Sequence, residues 1–237
     1  MERTPVVMVA SPVRVATRAT GSDGKDWTAA LAAVDNEHAA PFERLADGQF
    51  YGLSDPHWLE LEFDAQALAQ AGADAPLRLV CTGWFLWTDA SVNMASARTP
   101  GVEFIPPMIL VPTLDAWAPT GPPVGFPAGK TKTMVLDVSS ILKRDDPRLR
   151  ISSTLCLYWD SIRLAVGDDA AQVTTALPVH GSHLWARGFS APLPSESATS
   201  PEMFDWDARA DQPRWNQHPG AYTRYGDVLE LLKGVDD

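Results

Sequence analysis

"ISSTLCLYWDSIRLAV", residues 151–166, is the stretch whose reading decides the fold. It is β-branched and aromatic throughout, with neither proline nor glycine, so it predicts the longest strand of the chain. Alternation puts Leu155, Leu157 and Trp159 on one face with Arg163, and Cys156, Tyr158, Asp160 and Ile162 on the other. An ionised Asp160 midway along such a strand is costly without a partner. Arg163, Lys132 or a bound cation is the expected partner. Tyr158 and Asp160 are then the candidate polar centre at a sandwich mouth, and a buried structural ion pair is the competing reading.

Working outward, "LRLVCTGWFLW" (77–87) is apolar on both faces and predicts a central strand covered on both sides. "HWLELEF" (57–63) alternates apolar residues with Glu60 and Glu62, the period of a half-buried strand. "KTKTMVLDV" (130–138) begins polar and ends apolar, as a strand entering a core does. Between them, residues 99–130 are rich in proline and glycine, which leaves room only for elements of about six residues or fewer. Phe104, Ile105, Met108, Ile109, Leu110 and Trp117 still need something to pack against, so this excursion covers a sheet face or walls a site. "DWTAALAAV" (26–34) predicts a helical turn capped by Asp26, and "YGDVLELLKGV" (225–235) predicts a short amphipathic C-terminal helix.

The composition agrees with an ordinary folded domain: 45% hydrophobic and 21% charged, with nine tryptophans, twenty prolines and sixteen glycines. A formal net charge of −11, with no opposing basic patch, argues against nucleic acid and against anionic membrane surfaces as partners. The apolar run Val6–Ala10 is too short for a signal-peptide core, and no stretch approaches a bilayer span. The expectation is a soluble chain. Cys81 and Cys156 each sit in an apolar run and read as small core residues rather than a disulfide framework.

The chemistry-bearing motifs narrow further. "PAGKTKT" fails as a phosphate loop, because Val124 stands where the pattern needs glycine. His180 and His183, in "HGSH", lack a third ligand and flank Gly181, so they read as a surface loop. No nucleophile elbow is present. Asp89, Asp137 and Asp160 lie at or near predicted strand ends, so two could flank a glycosidic bond. The commoner role for such residues is to close turns or to hold a calcium ion. No cofactor is expected, a structural calcium near Asp137 and Asp160 being the one alternative. The leading site is the end of the 77–87 strand. There Trp87 shares an extended face with Asp89, Ser91 and Asn93, a ring followed by polar hooks of the kind that grips a sugar. Trp84, among apolar neighbours, reads as core.

Two resemblances follow. "VLDVSSILKRDDPRLRISSTLCLYWDSIRLAV", with Asp137, Val138 and Ser139 at a turn before a long final strand, resembles the closing half of galactose-binding-like jelly rolls. "YGLSDPHWLELEF", "TGWFLWTDASVNMASARTPGVEFIPPM", "GPPVGFPAGKTKTMVLDVS" and "RWNQHPGAYTRYGDVLELL" resemble a C-terminal region of large bacterial proteins. Those proteins carry FG-GAP repeats, an ASPIC/UnbV module and tetratricopeptide repeats. This resemblance implies an accessory module of an exported multidomain protein and brings no catalytic residue with it.

The expected fold is therefore an all-β, galactose-binding-like jelly-roll β-sandwich. Its core spans 51–170, residues 1–50 contribute strands and a short helix, and 171–237 form a docked extension ending in a helix. The expected function is non-catalytic binding of carbohydrate or another polar surface ligand at Trp87, Asp89, Ser91, Asn93, Tyr158 and Asp160. The alternatives are a domain that packs on sister domains of a larger protein, and a glycoside hydrolase-like enzyme using paired Asp.

Overall fold

The computed structural model describes residues 12–45, 48–167, 178–194, 203–212 and 220–234. The apolar run Val6–Ala10, which as "VVMVA" reads as a short strand, lies outside them. The chain divides into two compact units, 1–170 and 171–237.

The first unit is all-β. In chain order its strands are β1 (Val13–Val15), β2 (Arg18–Gly21), β3 (Leu53–Glu62), β4 (Leu77–Phe85), β5 (Met108–Pro112), β6 (Trp117–Pro119), β7 (Lys132–Asp137), β8 (Arg148–Leu155) and β9 (Leu157–Val166). They form two antiparallel sheets, ordered β1-β9-β4-β7 and β2-β3-β8-β5-β6. One apolar core joins the inner faces: Leu59, Leu61, Leu149 and Ile151 from the five-stranded sheet meet Leu77, Leu79, Leu164 and Val166 from the four-stranded one. Two helices, α1 (Ala65–Gln70) and α2 (Ala90–Arg98), interrupt the strands.

The alternation in β3 is as expected. Leu59, Leu61 and Phe63 are buried while Glu60 and Glu62 face outward. On that outer face the Arg150 guanidinium lies between Trp58 and Trp117, 3.7 and 4.2 Å from their ring centroids, and pairs with Glu60 at 2.8 Å. β4 is central in its sheet, also as expected. Residues 99–130 do more than cover a face: they supply β5 and β6 to the five-stranded sheet, each no longer than its prolines allow.

The deciding stretch is not one strand. It breaks at Cys156, which carries the chain from one sheet to the other. There the Cys156 N–H donates to Gly52 O and the Leu86 N–H donates to Cys156 O, both at 3.0 Å. The joint is fully buried, so its residues stay apolar and nothing marks it as a break.

A second departure lies within β9. Thr82 stands opposite Ser161 and Gly83 opposite Trp159, leaving Asp160 as the extra residue of a β-bulge. A Cβ on Gly83 would meet Tyr158 O at 2.5 Å, so the pairing closes only around a glycine. The bulge reverses the phase of the strand. Leu155, Leu157 and Trp159 share the core with Ile162, Leu164 and Val166, which corrects the expected grouping of Ile162 with Tyr158 and of Arg163 with Trp159.

In the second unit, β10 (His183–Leu184) pairs with β13 (Gly226–Asp227), and β11 (Phe189–Pro192) pairs with β12 (Phe204–Ala210). His183 thus lies in a strand and not in a surface loop. The expected C-terminal helix is a single 3-10 turn, Leu229–Leu232, with no buried residue. Glycines at 226 and 234 bracket it, and a turn this short gains too little packing to lengthen into an α-helix. Among the described residues, no helix is long and apolar enough to cross a membrane.

Candidate ligand-binding surface

The polar residues after Trp87 do not continue a strand. β4 ends at Phe85, and Asp89 is the N-cap of α2, its Oδ1 accepting the Val92 N–H at 2.9 Å. The strand-face argument for Trp87, Asp89, Ser91 and Asn93 is therefore replaced by a helix-start geometry. Three of the four still meet. Trp87, Asp89 and Ser91 line one open depression of about 540 Å³, together with Gln49, Tyr51, Val92 and Ala95. Asn93 does not. Its Oδ1 accepts from the Thr88 hydroxyl, and it borders a separate depression with Arg98, Glu103 and Phe104.

Trp87 is 54% exposed, whereas Trp84, three residues earlier, is buried with its Nε1 donating to Gly129 O. Beside Trp87 stands Tyr51, with ring centroids 5.3 Å apart and planes inclined at 57°. The two rings form an open corner rather than a flat stack. Gly52 makes this approach feasible. It has φ +81°, and a Cβ there would lie 2.5 Å from Trp87 O and 2.6 Å from Leu86 O. The corner is thus built where the 51–52 backbone, the β4 exit and the Cys156 joint come together. Sequence reasoning missed Tyr51 and Gln49. The one available trace was the run "GQFYG", aromatics between glycines just before a strand.

Tyr158 and Asp160 lie apart from this depression. Tyr158 packs among Trp84, Phe42 and His38 at centroid distances of 5.5, 5.2 and 6.3 Å. Asp160 is wholly buried. Its Oδ1 accepts backbone N–H groups of Asp35 and Asn36 at 3.0 and 2.8 Å, so neither Arg163 nor Lys132 is its partner. Asn36 sits at φ +70°, and two backbone hydrogen bonds between Ala39 and Trp159 hold the same loop against β9. Asp160 therefore latches the 35–39 loop to the strand. Four buried polar atoms on β9 and this loop have no hydrogen-bond partner among the described residues: Asp160 Oδ2, Ser161 Oγ, Arg163 Nε and His38 Nε2. Burial lowers the basicity of the His38 imidazole, with Asp160 opposing that shift.

Asp137 is exposed, and its Oδ1 accepts the Ser139 N–H; hydrogen bonds from Ser139 hold its carboxyl below the usual range. Register puts Asp137 opposite Arg78 and Arg78 opposite Ala165, so Asp137 and Asp160 are two strands apart and out of step. The expected calcium site near both residues does not assemble. Among the described residues, no group of three His, Cys, Asp or Glu side chains could hold a metal ion. Asp89 caps α2, Asp137 closes a turn and Asp160 holds the 35–39 loop, and the depression that Asp89 lines includes neither of the other two. Cys81 and Cys156 are free and buried, their thiols pushed up to about 12 by burial, the opposite of an activated nucleophile. No protein-family model, curated protein or solved structure matches the chain.

Proposed function

We propose that residues 1–170 form a galactose-binding-like jelly roll that acts as a non-catalytic binding module, gripping carbohydrate at the Tyr51–Trp87 corner. The topology is supported by the sheet orders. With β2 set aside as an added edge strand, they run β1-β9-β4-β7 and β3-β8-β5-β6. The first strand thus pairs with the last, and apart from the β5–β6 hairpin consecutive strands alternate between the two sheets, as in a double Greek key. The binding reading rests on one observation: a half-exposed Trp87 beside Tyr51, in a depression that also offers Asp89, Ser91 and Gln49. Ring faces stack on the C–H faces of a pyranose while the polar rim takes its hydroxyls. The resemblance to the C-terminal region of FG-GAP, ASPIC/UnbV and tetratricopeptide-repeat proteins adds the setting, an accessory module of an exported bacterial protein.

A second reading, packing against sister domains, is favoured by the apolar surface. Leu114 is fully exposed at the β5–β6 turn, and Trp185, Trp206, Tyr222 and Tyr225 are exposed in the second unit.

Tryptophan-fluorescence titration of the full chain with a panel of soluble glycans, with and without calcium, tests the first reading. A saturable shift is expected that Trp87→Ala abolishes. Absence of any shift, with Trp87→Ala folded as the wild type, transfers the assignment to the packing reading.

A further inference from the structure

We propose that the saccharide held at the Tyr51–Trp87 corner carries an ammonium group, as a glucosamine-type sugar does, and that Asp89 and the two rings read its charge. The inference rests on the binding reading above and names its ligand class. The side chains lining the depression carry one formal charge, the Asp89 carboxylate, and no cation. The N-terminus of α2 offsets part of it, roughly +0.5 against −1, so the balance stays negative. Asp89 uses Oδ1 for the Val92 N–H, and its carboxylate lines the depression beside the two rings. Both ring faces add to the same sign, because an aromatic face is the negative end of its quadrupole and attracts a cation within about 6 Å of its centroid. Tyr51 and Trp87, 5.3 Å apart and inclined at 57°, both line the depression that Asp89 lines. The chain's −11 acts in the same direction at low salt. An acidic sugar meets repulsion here, a neutral one gains stacking alone, and an aminosugar gains stacking and charge together.

The test is a matched pair of ligands. A chito-oligosaccharide and its fully de-N-acetylated counterpart of equal length are titrated into the full chain at about pH 6, where the free amine is protonated. Asp89→Asn removes the charge but keeps an N-cap of equal quality, so α2 should persist, and an unchanged melting temperature verifies it. The expected result is binding of the amine form tighter by on the order of fivefold, a preference that Asp89→Asn abolishes and added salt weakens. Equal affinity for the two forms, or preference for the acetylated one, with both lost in Trp87→Ala, overturns the ammonium inference and leaves the binding reading standing. Choline displacing a bound oligosaccharide supports ammonium recognition, whereas choline binding with neither saccharide bound overturns the sugar assignment. No binding of saccharide or choline overturns both.

Discussion

Replacing Gly52 by alanine tests whether the aromatic corner is built by a close backbone approach. The new methyl would lie 2.5 and 2.6 Å from the carbonyl oxygens of Trp87 and Leu86, and neither oxygen can rotate away as a side chain would. Overpacking of this kind costs about 1–3 kcal/mol. Holding alanine at φ +81° adds roughly 1–2 kcal/mol. Against this, alanine narrows the unfolded ensemble and returns roughly 0.4–1 kcal/mol. The middle of these ranges is a net loss of about 2–3 kcal/mol. For a unit of this size it lowers the melting temperature by about 5–10 °C in calorimetry. Relief of the clash must also move the 51–52 segment off the β4 exit, so the Tyr51–Trp87 pair opens and the Trp87 emission shifts. A variant melting within about 1 °C of the wild type, with unchanged emission, would refute the close approach and with it the account of how the corner is held.

Three further outcomes follow from polar groups that the two sheets hold in place. Burial pushes the His57 imidazole down from 6.5 to about 4, so the unfolded chain takes up a proton there before the folded one does. Its stabilising effect is complete above about pH 6.5 and is lost as pH falls towards about 4, a change of about 3 kcal/mol. His57→Asn should flatten the urea-denaturation slope across that window, and parallel slopes would show that His57 is not the group responsible. Asp160→Ala leaves the Asp35 and Asn36 N–H groups without their acceptor and should cost about 3 kcal/mol, while Asp160→Asn keeps an acceptor and should cost about 1 kcal/mol or less. Asn proving as damaging as Ala would mean that the charge, and not the loop latch, is what the site needs. Arg150→Ala should lose about 2 kcal/mol through its two ring contacts and the Glu60 pair. Arg150→Lys should recover less than half of it, because an ammonium cannot lie flat between two indoles; full recovery by lysine would reduce the stack to a point charge.

How far the sequence reveals this fold depends on what each residue faces. β3 is legible because one side is wet: Glu60 and Glu62 punctuate the apolar residues and fix the phase. α2 was hidden for the opposite reason. Its cap, Asp89, comes three residues after buried Leu86, it buries only Val92 and Ser96, and so no 3.6-residue apolar stripe sets it apart from the strand before it. The signals present were an Asp at the cap and an arginine in the last turn. Both are residues that also decorate binding loops. An N-cap and a sugar hook draw on the same chemistry, a short polar side chain held at an element's end. That is why a strand-face argument groups Trp87, Asp89 and Ser91 on grounds that do not hold, while a helix start brings the same three to one depression. Asn93, two residues further, is carried by the helical turn to the other flank.

Asp160 carries the deeper lesson. Period-two reasoning assumes that every residue of a strand has a partner across the ladder, and one unpaired residue invalidates it from that point on. In β9 the error is silent, because apolar residues are buried in either phase: Leu164 and Ala165, in succession, are both buried. Only the polar pair at the bulge itself shows the shift, since Asp160 and Ser161 are adjacent and both fully buried, as successive residues of a regular, one-side-wet strand would not be. The trace lies on the neighbouring strand. Gly83 is the residue of β4 against which the bulge closes, and any side chain there collides with the Tyr158 carbonyl. A glycine in the middle of an otherwise apolar central strand is thus the cue that the opposite strand carries an extra residue. The acid in that opposite strand is then free to turn from the ladder and take a loop's N–H groups.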